Sequence, residues 1–160
     1  MHFKSIFTTS FFTVITYLLV FFGPINYASA FDTKAYSGSV CQAYFGQDEV
    51  WFYKYNSGIY NRSSAYRWIS CAFAKDRQGS VGTRSAWVFV VAPSSGRTSC
   101  YLSERNFNGA AVSTRAGSRF GTGWISIDTS SSINSYYVAR HMYCFVPPGA
   151  RVATIEVSEW

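Results

Sequence analysis

Past residue 38 the chain alternates apolar and polar side chains with a period of two. In "SAYRWISCAFAKD" (64–76) Trp68 falls on one face and Ile69, Cys71 and Phe73 on the other. "TSCYLSE" (98–104) pairs Cys100 with Leu102, and "GWISIDTS" (123–130) pairs Ile125 with Ile127. "ARVATIEVSE" (150–159) puts Ala153, Ile155 and Val157 inward and Thr154, Glu156 and Ser158 outward. Successive side chains of a strand point to opposite faces, so this is the pattern of half-buried strands. No window sustains apolar residues at the helical i, i+3, i+4, i+7 spacing. "SAWVFVVAP" (85–93) is apolar throughout, as a strand covered on both faces would be. "SVCQAYFG" (39–46), "EVWFYKYNSG" (49–58), "GAAVSTR" (109–115) and "SYYVARHMYCFVP" (135–147) complete nine candidate strands. Turn clusters separate them: Asn56-Ser57-Gly58, Asp76-Arg77-Gln78-Gly79, Pro93-Ser94-Ser95-Gly96 and Pro147-Pro148-Gly149. The fold class expected is all-β: an antiparallel β-sandwich, jelly-roll or immunoglobulin-like, around a core of Trp, Phe, Ile and Val.

Cys41, Cys71, Cys100 and Cys144 all fall inside candidate strands. Spacings of 30, 29 and 44 residues contain no C-x2-C pair of the kind zinc sites use. An even set in an oxidising compartment predicts two disulfides. Cys41 and Cys71 lie in the first and third candidate strands, close enough to be sheet neighbours. Cys100 and Cys144 both point to the core, where the sandwich can bridge them. The pairing expected is Cys41–Cys71 and Cys100–Cys144.

The compartment is read from the opening thirty residues. Lys4 precedes an apolar run from Ile6 to Phe22; Gly23-Pro24 then breaks it, and Ala28-Ser29-Ala30 has the small-x-small form of a signal peptidase site. The expected organisation is a signal peptide over 1–30 and one β-sandwich domain over 31–160. The alternative is an uncleaved anchor, since the run is nearly long enough to span a bilayer. After cleavage no second such run is left, so the expected protein is secreted or periplasmic, without a stable membrane span.

Removing Lys4 leaves 13 basic against 8 acidic residues. The arginines are scattered singly, unlike the clustered charge of a nucleic-acid binder. A mildly cationic surface suits acidic glycans, lipid headgroups or cell-wall polymers.

No constellation points to catalysis. His141 is the one histidine after residue 30, and no G-x-S-x-G elbow is present. His141 and Cys144 are three apart and face opposite ways in a strand. Asp48 and Glu49 are adjacent and diverge, and most of the acids sit at turns or on solvent faces, which disfavours a carboxylate pair for glycoside hydrolysis. No catalytic residue, metal ligand or cofactor is assigned. Gly121-x-Gly123 lacks the third glycine and the helix of a phosphate cradle. Asn61-Arg62-Ser63 has the form of a glycosylation sequon.

The aromatic content is the unusual feature. Five tryptophans and 12 tyrosines exceed what a small core needs. In "VWFYKY" both faces carry rings, so Trp51, Tyr53 and Tyr55, with Trp124, are the candidate binding residues. Exposed Trp and Tyr beside Arg and Asn suit the faces of sugar rings. The expected function is a non-enzymatic binding or interaction module, its partner a glycan or cell-envelope polymer. A small glycan- or cell-wall-directed hydrolase is the second reading, and a membrane-active factor the third.

"YSGSVCQAY", "YNSGIYNRSSAYRWISCAF", "TSCYL" and "YYVARHMYCFVPPGARVATIEVSE" are spread along the chain from residue 36 to residue 159. In this pattern of a Ser-Gly-x-x-Cys start and a closing Cys-x-x-Pro-Pro, the chain resembles a group of small secreted bacterial proteins. The group often has Cys-Pro where Cys71-Ala72 stands here. The resemblance implies an exported bacterial β protein and carries no catalytic or binding residue with it.

Overall fold

The computed structural model describes residues 32–73, 83–105, 108–128 and 139–159. The chain divides after Ala30, and the fold is that of the second unit, Phe31–Trp160. The segment read as a signal peptide, the Asp76–Gly79 turn and Trp160 lie outside the described residues.

Among the described residues eleven strands run in order: β1 (Asp32–Ser37), β2 (Cys41–Ala43), β3 (Phe52–Tyr55), β4 (Gly58–Asn61), β5 (Arg67–Phe73), β6 (Thr83–Val91), β7 (Arg97–Arg105), β8 (Ala111–Phe120), β9 (Gly123–Asp128), β10 (Ala139–Val146) and β11 (Arg151–Glu159). They form two antiparallel sheets in a sandwich-like arrangement. Sheet I has the order β3-β4-β11-β6-β9, with β1 also on β11. Sheet II has the order β2-β5-β10-β7-β8.

The expected strands are present, with three differences. First, β1 and β4 are additional. They share one edge of β11: β4 pairs with its start (Val152↔Ile59) and β1 with the rest (Ser37↔Thr154 to Asp32↔Glu159). The handover falls at a register shift between Val152 and Thr154. That shift gives the inward place to Val152, which is fully buried, rather than to Ala153. Second, Gly46–Trp51 is a 3-10 turn and not the start of a strand. Here the Asp48 carboxylate meets Arg67, and Glu49 Oε2 accepts from Ala43 N at 3.1 Å. Local side-chain bonds of this kind compete with a ladder. Third, β10 and β11 lie in different sheets and do not form the hairpin that a Pro147-Pro148-Gly149 turn between two strands suggests. Pro147–Gly149 carries the chain from sheet II to sheet I.

The core is aliphatic. Ile59, Ile69, Val88, Leu102, Ile125, Ile127, Met142 and Ile155 are at most 1% exposed, and among the described residues Phe52 is the one aromatic side chain in the core. Of the expected core of Trp, Phe, Ile and Val, the Ile and Val are found there, while the described tryptophans lie outside it. Inward positions of both sheets carry mostly aliphatic side chains and cystine, and most of the described rings fall on outward positions.

Both disulfides form as expected, Cys41–Cys71 and Cys100–Cys144. The second does not bridge the sandwich, however. Cys41 is directly opposite Cys71 on β2 and β5, and Cys100 directly opposite Cys144 on β7 and β10. Each pair bonds across neighbouring strands of sheet II.

Candidate functional site

The four aromatic residues singled out in the sequence are exposed, Trp51 by 42%, Tyr53 by 48%, Tyr55 by 51% and Trp124 by 43%. They do not converge. Trp51 ends the 3-10 turn, with the Arg67 guanidinium 5.5 Å from its ring. Tyr53 and Tyr55 lie on β3 with rings 6.2 Å apart, and Arg62 sits 4.5 Å over Tyr53. Trp124, on β9, rests against Phe89 of β6 at 5.1 Å. β3 and β9 are opposite edges of sheet I.

The rings that do converge are on the outer face of sheet II. The register that joins the cysteines builds this face, because outward residues lie one position from inward ones. Cys100 opposite Cys144 places Tyr101 opposite Tyr143, and Trp68 is opposite Phe145. Past the end of β2, Tyr44 N donates to Trp68 O at 2.9 Å, which extends the sheet by a residue and brings Tyr44 to the same face. Ring centroids then follow one another across the sheet: Phe45–Tyr44 at 4.8 Å, Tyr44–Tyr143 at 5.2 Å, Trp68–Tyr101 at 5.8 Å, Trp68–Phe145 at 4.9 Å and Phe145–Tyr66 at 5.0 Å. Edge-to-face and offset geometries at these separations are favourable ring contacts.

The band surrounds a concavity of about 330 Å³ lined by Tyr44, Phe45, Trp68, Tyr101 and Tyr143, with Ser103, Arg105, Ala111 and Thr114 as its other residues. That volume is within the range of small-ligand sites, and apolar walls with a few polar groups are their usual chemistry. A second cavity, of about 380 Å³, on sheet I is lined by Tyr55, Tyr60, Val91, Gly149 and Arg151.

His141 is outward, its ring 6.1 Å from that of Tyr143, while Cys144 is inward and bonded. The parity argument holds, and the bond removes Cys144 as a thiolate nucleophile. The acids are less uniformly solvated than their positions suggest. Asp48 is 6% exposed and paired with Arg67. Glu49 meets Lys54 Nζ at 3.4 Å. Glu104 is 4% exposed and faces inward, 3.4 Å from Arg140 Nε across the β7–β10 ladder. Asp128 is an exposed carboxylate at the end of β9, on the far edge of sheet I.

Asn61 of the sequon is 1% exposed. Its Nδ2 donates to Ala65 O, Val146 O and Pro147 O, and its Oδ1 accepts from Ser63 N and Oγ. The nitrogen that would carry a glycan is interior to the folded domain.

No protein-family model and no curated protein sequence matches the chain.

Proposed function

We propose that the protein is an exported, non-enzymatic binding module that takes glycan or a cell-envelope polysaccharide on the outer face of sheet II. The observation that carries this reading is the concavity floored by Tyr44, Trp68, Tyr101 and Tyr143. A sugar ring has an apolar C–H face and a polar hydroxyl edge. Aromatic faces suit the first, and Ser103, Thr114 and Arg105 suit the second. Two disulfides in that same sheet hold the platform in shape before any ligand arrives, which lowers the ordering cost of binding. They also fit an oxidising compartment, in keeping with export through residues 1–30. Among the described residues no helix is long and apolar enough to cross a membrane.

A glycan array followed by tryptophan-fluorescence titration tests the proposal. Trp68→Ala and Tyr143→Ala should each weaken sugar binding about tenfold. Trp51→Ala and Trp124→Ala should leave it unchanged. Circular dichroism checks that each variant is folded. An array blank for every sugar and cell-wall fraction, or binding that depends on Trp51 and Trp124 instead, would overturn this reading.

A further inference from the structure

We infer that the concavity on sheet II selects sugars bearing a carboxylate, with Arg105 as the group that holds it. This rests on the glycan reading above. Arg105 closes β7 and lines the concavity. Its neighbours in register are Ala139 on β10 and Ala111 on β8, and the β7–β8 ladder shifts between Glu104 and Arg105. Its Nη1 donates to Gly109 O at 2.8 Å, and the guanidinium lies 5.8 Å from the Tyr143 ring. These two contacts orient the group against the aromatic wall.

Its Nε is buried and makes no hydrogen bond among the described residues. A charged N–H withdrawn from water without an acceptor is costly. Among the described residues that line the concavity, none is acidic. Glu104, next in the chain, points to the other side of the sheet and is engaged by Arg140. The described lining thus supplies a cation at the wall of an aromatic pocket and no anion to meet it there. A carboxylate against the Arg105 guanidinium supplies a charge-assisted acceptor of the kind such groups favour. A neutral sugar of the same shape satisfies the rings and leaves the guanidinium without an anion. The class of ligand is therefore a uronic-acid-containing glycan, its ring on Tyr143 and Trp68 and its carboxylate on Arg105.

The test uses protein purified after expression of the full chain, titrated with tetragalacturonate and with its methyl ester. The ester keeps the ring and removes the charge. The acid should bind about tenfold or more tightly than the ester, and the difference should shrink as salt rises. Arg105→Gln should bring the acid down to the ester's affinity, and Arg105→Lys, which keeps the charge and loses the fork, should fall between. If Arg105→Gln does not fold, Arg105→Lys and the ester comparison decide. Equal binding of acid and ester overturns the inference and leaves the glycan reading standing. An acid preference that survives both substitutions overturns it too. Failure of both sugars, together with a blank glycan array, removes the glycan reading itself.

Discussion

Asn61 does the work of several residues. Its amide spans from the β4 end to the Val146 and Pro147 carbonyls, about eighty-five positions along the chain, at 3.0 and 3.2 Å. Its own backbone closes the same corner, with Asn61 N donating to Ala150 O and Gly149 N to Asn61 O. The side chain thus pins the crossing from β10 to β11 onto sheet I. Asn61→Ala leaves buried carbonyls without a donor and should lower stability by about 2–3 kcal/mol. Asn61→Asp, the same size, turns the donor into an acceptor against those carbonyls and should cost more. Thermal unfolding measures both; an Asp variant as stable as wild type would refute the role. The residue was visible in the sequence only as a sequon. Its partners lie too far along the chain for local pattern to name them, and a buried Asn looks like a surface one until the turn it holds is known. The face of His141, by contrast, was legible, because strand parity is local.

At the scale of elements, period-two patterning located most strands and their inward faces, since alternation is imposed by the same core that buries Ile69, Leu102 and Ile125. It missed β1 and β4, short segments whose pairing depends on which part of β11 each covers. The two Ser-Gly pairs that open this arrangement have a common physical reason. A Cβ on Gly38 or on Gly58 would come within 2.1 Å of Val152 O, and Gly58 also has a φ of +131°. Both strands reach the β11 bulge by passing its backbone with no side chain between. Gly38→Ala meets the contact alone, whereas Gly58→Ala meets the contact and a backbone conformation that L-residues avoid. Each should destabilise the domain, Gly58→Ala more, at about 3 kcal/mol. Urea unfolding of the two variants checks the order, and equal losses would mean that the shared contact dominates.

For the whole molecule, the cysteine pairing held more information than its use as a staple. In an antiparallel ladder Cys100 opposite Cys144 requires Tyr101 opposite Tyr143, and Cys41 opposite Cys71 carries the register on to Tyr44 and Trp68. The aromatic platform was thus implicit in the correct pairing. Counting exposed rings pointed instead to Trp51, Tyr53, Tyr55 and Trp124, which the strand order places on separate edges. The same topology sets the two bridges apart in consequence. Their loops of 30 and 44 residues differ little on a logarithmic scale, so each contributes about 4 kcal/mol in the chain-entropy model. But Cys100–Cys144 joins two strands that each have another ladder, β7 with β8 and β10 with β5. Cys41–Cys71 holds β2, a three-residue edge strand paired with β5 alone, and β2 leads straight into Tyr44 and Phe45. Replacing both cysteines of a bridge by alanine should therefore cost similar stability in either case. On the proposed glycan reading, sugar affinity should fall further in the Cys41→Ala/Cys71→Ala protein, because that change releases one wall of the concavity while its centre stays hydrogen-bonded. Fluorescence titration well below both unfolding temperatures compares them. A larger loss from Cys100→Ala/Cys144→Ala would show that the Tyr101–Tyr143 pair, and not the Tyr44 wall, depends on its bridge.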